Sequence, residues 1–85
     1  MAGDKIPSGR MIRAGRALAG IEQLDLAEQI GVDRRTVSRL EADKDVPVNP
    51  LKIATYEKMR DALQRRGIVF LYGGKGYGEG VALKD

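Results

Sequence analysis

The chain has no cysteine, no histidine and no tryptophan, and its aromatic residues are one phenylalanine and three tyrosines. The first two absences remove disulfides, thiol nucleophiles, imidazole acid–base catalysis and the usual zinc ligand sets. The remaining carboxylates are not spaced like a calcium loop. No nucleophile–base set stands in their place. The reading is therefore of a protein that is not an enzyme, with no catalytic residue, no metal and no cofactor. Long apolar runs are missing too, and nothing approaches the roughly 18 residues of a membrane span. Residues 1–7 hold no apolar stretch of signal-peptide length. Ala2 stands where myristoylation needs glycine. The expected setting is cytoplasmic, with no membrane partner.

What is present is a short, mildly basic chain. Its 85 residues suit one small domain. Fifteen basic and 12 acidic residues leave a net charge of +3. More than half of the glycines lie after residue 66. The composition divides the chain into a flexible N-terminal arm (1–7), a helical domain (8–66) and a C-terminal β-hairpin (67–85). So few aromatics imply a modest aliphatic core, and a fold of this size gains from a partner chain.

Capping signals predict the helices. Ser8 is an N-cap for a helix from residue 9 or 10 to about residue 19. Ile12, Gly15, Leu18 and Ala19 share its inner face, and Arg10, Arg13 and Arg16 share another. Gly20 ends it. A second helix, Gln23–Ile30, carries Leu26, Ala27 and Ile30 inward and stops at Gly31. Asp33 then caps a third helix, Arg34–Ala42. Val37 and Leu40 alone turn inward there, while Arg34, Arg35, Ser38 and Arg39 turn out. Residues 43–48 form a loop, in which Asp43 and Asp45, with Glu41 nearby, read as a cap-and-turn cluster. Asn49 and Pro50 open a last helix running to about residue 66. Leu51, Tyr56, Met59, Ala62 and Leu63 supply its apolar side, with an ion pair from Asp61 to Arg65. A start at Thr55, with 51–54 as a separate turn, is the alternative and would make five helices. Lys58, Arg60, Arg65 and Arg66 read as a solvated face. Residues 68–72 predict a strand, 73–80 a flexible glycine-rich loop and 81–84 a second, weaker strand. The loop does not fit a phosphate-binding Walker pattern.

The segment 23–42 carries the function. Two short helices joined by Gly31-Val32-Asp33, with Leu26, Ile30, Val32, Val37 and Leu40 inward and Ala27 small at the crossing, make a helix-turn-helix pattern. Such a pair projects the start of its second helix, and the major groove of B-DNA, about 12 Å wide, can receive it. Arginine at three exposed positions favours guanine, because its fork fits O6 and N7 together. Asp33 could accept from cytosine, but its capping role is the preferred reading.

Residues 12–41, with Gly20, Gln23, Leu26-Ala27, Gly31-Val32 and Val37-Ser38-Arg39-Leu40-Glu41, resemble the phage-repressor and Cro-like (Xre-type) helix-turn-helix family. Gly67-Ile68-Val69-Phe70 and Gly80-Val81-Ala82-Leu83 resemble the closing hairpin of a subset of small bacterial regulators. Glu22 stands where the family prefers serine or threonine, which weakens the start of the second helix. The resemblance implies a mainly α, four- to five-helix lambda-repressor-like domain with a C-terminal β-hairpin. It implies base contacts from Arg34, Arg35 and Arg39. It also implies backbone contacts from Arg16, Gln23, Thr36, Ser38 and Lys44, with Gln23 bracing the recognition helix. The expected function is sequence-specific transcriptional regulation on double-stranded DNA, as a homodimer reading inverted half-sites. The expected dimerisation segment is Ile68, Val69, Phe70, Leu71 and Tyr72. The alternative is a protein-interaction module, an antitoxin or antiactivator, that sequesters a second regulatory protein. RNA binding is the weakest reading, since no sheet presents stacking aromatics.

Overall fold

The computed structural model describes residues 5–44 and 47–85. Most of the expected arm, and Asp45 of the acidic turn, lie outside the described residues. The described chain runs α1 (Gly9–Ala19), α2 (Gln23–Ile30), α3 (Arg34–Ala42), α4 (Pro50–Arg65), β1 (Ile68–Gly74) and β2 (Tyr77–Leu83). This is a mainly helical domain with a C-terminal antiparallel hairpin, and no described helix is long and apolar enough to cross a membrane.

The helix boundaries follow from local chemistry. Ser8 Oγ accepts from Met11 N, Asp33 from Arg35 N at 2.9 Å and Asn49 from Leu51 N at 2.8 Å. Each bond satisfies an amide that a helix start would otherwise leave unpaired. The expected weakness at Glu22 is offset, because Asp25 accepts from the Glu22 N–H at 3.1 Å. Gly31 adopts φ 74°, the left-handed conformation in which a side chain is strained, and so lets the chain turn sharply into α3.

The core is aliphatic with two aromatic members. Met11, Ile12, Leu26, Ala27, Val37, Leu40, Tyr56, Met59, Ala62, Leu63, Ile68 and Phe70 are all buried. Burying each large side chain stabilises the fold by about 1.5–3 kcal/mol. Two residues assigned inward lie outside: Leu18 is 43% exposed and Leu51 is 79% exposed. Leu18 falls past the edge of the stripe set by Met11, Ile12 and Gly15. Leu51 belongs to the first turn of α4, which extends beyond the core. That helix is continuous from Pro50, so the separate start at Thr55 is not adopted, and Thr55 Oγ1 donates to Leu51 O within it.

Two charge assignments on α4 also change. Arg60 is buried, not solvated, and donates from Nη1 to Lys5 O at 3.0 Å. Its Nε pairs with Asp61 at 3.0 Å, where an Asp61–Arg65 pair was expected. The hairpin is longer than its glycines suggested. Most of 73–80 is strand, and the pairing of Gly74 with Tyr77 leaves only Lys75 and Gly76 as the connection. Glycine lowers strand propensity, but cross-strand hydrogen bonding next to a packed β1 overrides it.

The hairpin lies across α1 and the end of α4. Ile68 and Phe70 point into the core, and the missing side chain of Gly15 is what admits them. A Cβ there would stand 3.2 Å from Ile68 and 3.5 Å from Phe70. At the far end, Glu79 accepts from Ser8 Oγ at 2.9 Å and pairs with Arg10 Nε.

Candidate nucleic-acid interface

Helix α3 has two unlike sides. Val37 and Leu40 are buried, and α3 packs against α1 and α2, which fixes the rotation of the helix about its axis. The opposite side then has to carry Arg34, Arg35 and Arg39, and all three are exposed. Thr36 and Ser38 are half-buried at its margins, and Lys44 is exposed just beyond the helix end. Arg35, Arg39 and Lys44 have no ion pair among the described residues. The two nearby acids are committed elsewhere. Asp33 caps the helix, and Asp43 pairs with Lys52 at 3.1 Å. The ridge is therefore left cationic.

Behind it lies a polar network that the reading of α3 had missed. Glu41, which the sequence pattern places on α3 beside the acidic loop, is only 6% exposed. Arg16 meets it through two parallel bonds, Nε to Oε2 at 2.8 Å and Nη2 to Oε1 at 3.1 Å. Arg16 Nη1 also donates to Ile21 O at 3.1 Å. Gln23 Nε2 donates to Glu41 Oε1 at 2.9 Å, and Gln23 Oε1 accepts from Arg34 Nη1 at 3.1 Å. The carboxylate holds the Arg16 guanidinium above its ordinary pKa, chiefly through that hydrogen bond. A forked pair of this kind is strong and directional. It ties α1, the start of α2 and both ends of α3 into one frame.

The network redistributes the roles implied by resemblance. Gln23 does brace α3, through Glu41 at one end and Arg34 at the other. Arg16, expected on a phosphate, is first of all an internal strut, because its charge is answered by Glu41. It lines the rim of a hollow shared with Gln23 and Arg34. The signal for Glu41 is non-local: Arg16, one of three arginines sharing a side of α1, becomes its partner only when α1 packs on α3.

The strand residues separate into two sets. Ile68 and Phe70 are core, Val69 and Tyr72 are half-buried, and Leu71 is 37% exposed. Tyr72 donates to Lys5 O at 3.3 Å, and Lys5 Nζ sits 5.4 Å from its ring centre. The side chains of Ile68 and Phe70 are thus already spent on the fold.

A family model described as helix-turn-helix matches residues 12–64, more than half of the chain. No curated protein and no solved structure matches it.

Proposed function

Since the chain belongs to the helix-turn-helix family, in its Cro- and Xre-like branch of DNA-binding regulators, we propose that it controls transcription in the cytoplasm by reading a specific duplex sequence as a homodimer. The observation that carries this reading is the cationic ridge of α3, held from behind by the buried Glu41 network. Arg34, Arg35 and Arg39 lie on base edges in the major groove, and a forked contact to guanine is worth about 1–3 kcal/mol of discrimination. Gln23, Thr36, Ser38 and Lys44 hold the sugar–phosphate backbone, with Arg16 contributing from the rim of its hollow. These contacts position the helix and carry no sequence information.

One α3 spans only a few base pairs. Two copies related by a two-fold axis read inverted half-sites about 34 Å apart, one turn of the duplex. The strand 68–72 supplies the joint between copies.

Selection of bound fragments from random DNA, repeated with Arg35→Ala and Arg39→Ala, tests the proposal. The expected result is an inverted repeat containing G·C pairs, whose preference is lost at one position per half-site in each variant. Uniform weakening on all sequences would instead mark that arginine as a phosphate contact. Absence of salt-sensitive DNA affinity, together with a stable complex with a second protein, would replace this reading with a protein-sequestering one.

A further inference from the structure

The hairpin has a free edge whose geometry specifies its occupant. Lys84 N donates to Gly67 O at 2.8 Å, and Ile68 stands opposite Leu83 in an antiparallel register. In such a ladder, pairs that exchange hydrogen bonds alternate with pairs that do not. Gly67–Lys84 being bonded, the bonded residues of β1 within the ladder are Val69, Leu71 and Gly73. The N–H and C=O groups of Ile68, Phe70 and Tyr72 therefore point away from β2, and outside the ladder none has a backbone partner among the described residues. Two of the usual protections of an edge are missing from β1, which has no proline and no charged side chain. Gly73, at φ 100°, ends the regular extended run, so the usable edge is 68–72.

We propose that this edge pairs with the same edge of a second copy, antiparallel and centred on Phe70. The inference rests on the dimeric reading above and gives it a register. The three outward residues are spaced symmetrically about Phe70. A two-fold axis there joins Ile68 to Tyr72 of the second copy, Phe70 to its counterpart and Tyr72 to Ile68, each pair exchanging both bonds. Centring on residue 69 or 71 leaves one outward residue of each copy unpaired. The side chains of Ile68 and Phe70 stay in their own cores, so the joint is made by backbone rather than by the apolar face of the strand. On the other face, Val69 of one copy lies against Leu71 of the other, beside Gly80 and Ala82, with no charged side chain on this patch. Lys5 and Lys84 border the groove along β1 at its two ends, and both are exposed, so their ammonium groups remain in water. The result is one four-stranded sheet.

The absence of native cysteine makes a register test clean. Opposed residues of a non-bonded antiparallel pair have Cα atoms about 4.5 Å apart, within disulfide reach. Under mild oxidation, a full-length chain carrying both Val69→Cys and Leu71→Cys becomes a covalent dimer, whereas either single variant stays uncrosslinked. In the unmodified protein, the amides of Ile68, Phe70 and Tyr72 gain protection from hydrogen exchange as concentration rises. A single variant that crosslinks as fast as the double one overturns the register. A double variant that remains monomeric, with those amides unprotected at every concentration, overturns the edge. The reduced variants are also carried through DNA selection. Sequence selectivity without crosslinking removes the joint and keeps the DNA reading, and crosslinking without selectivity does the reverse.

Discussion

Around α3, the apolar packing of Val37 and Leu40 is backed by a polar network whose acceptor is buried: Glu41 takes hydrogen bonds from Arg16 and Gln23, and Gln23 takes one from Arg34 nearer the surface. Around the hairpin the polar contacts lie outside. Its buried contacts are apolar, through Ile68 and Phe70, while its polar clasp, Glu79 with Ser8 and Arg10, sits at the surface with Arg10 83% exposed. Apolar packing resists removal from water but is tolerant of small rotations. A buried ionic network contributes little net stability, yet its donors and acceptors meet in only one arrangement. The arginine ridge of α3 is thus held by directional bonds as well as by packing, and the hairpin by volume.

Substitutions that treat the two regions differently sharpen this contrast. Phe70→Ala should destabilise the whole domain by about 3–5 kcal/mol, seen as a single shifted urea transition. Loss of the hairpin signal alone, with the helices melting unchanged, would show the hairpin to be an appendage. Truncation at residue 67 would remove two core side chains, Ile68 and Phe70, as well as any joint between copies. Glu41→Ala should cost about 3 kcal/mol, because it strands a largely buried arginine. Replacing the pair by Arg16→Met with Glu41→Leu should restore most of that stability without restoring DNA selectivity. Recovery of both together would refute an orienting role.

Tyr56 ties α4 to the end of α3 by donating to Leu40 O at 2.7 Å. Burial, and to a lesser degree Asp43, pushes its pKa up to about 12. The folded form therefore favours the protonated phenol. This contribution is whole below the ordinary tyrosine value of about 10 and is lost as the pH climbs towards 12. Tyr56→Phe should cost about 1 kcal/mol at neutral pH and flatten the alkaline limb of a stability–pH curve. An unchanged limb would assign the alkaline loss to other groups. The smallest effect belongs to the hairpin clasp. Hydrogen bonds from Arg10 and then Ser8 hold the Glu79 carboxyl below its usual range. Its stabilisation is present above the usual carboxylate pKa and fades as the pH falls through the lowered one. Glu79→Gln should remove less than about 1 kcal/mol, read as a shallower acid limb; an effect as large as that of Phe70→Ala would erase the contrast.

The helical part was legible because its signals are local. Ser8, Asp33 and Asn49 cap helices by bonding to amides two or three residues away, and Gly31 marks its own turn. The arginine ridge followed from the spacing of Val37 and Leu40 on the other side. What escaped depends on partners distant in the chain. Glu41 reads as a surface acid until α1 is folded against α3, and Arg60 reads as solvated until residue 5 lies over it. The glycines from 73 to 80 resemble a loop until β1 offers them a ladder. Glycine-rich strands lack the side-chain pattern by which strands are recognised, so only pairing reveals them.

Gly9 sits where α1 begins, and a Cβ built there would stand 2.2 Å from Leu40 O and 2.8 Å from Glu41 O. The last turn of α3 rests on bare backbone at that crossing. Adding one carbon would wedge it outward, and a helix about 13 Å long would swing its opposite end like a lever on a fulcrum. The aim of the arginines is in this sense set by an empty space at the other end of their helix, and under the proposed reading a single methyl group there would retune base preference while every side chain on the ridge stayed the same.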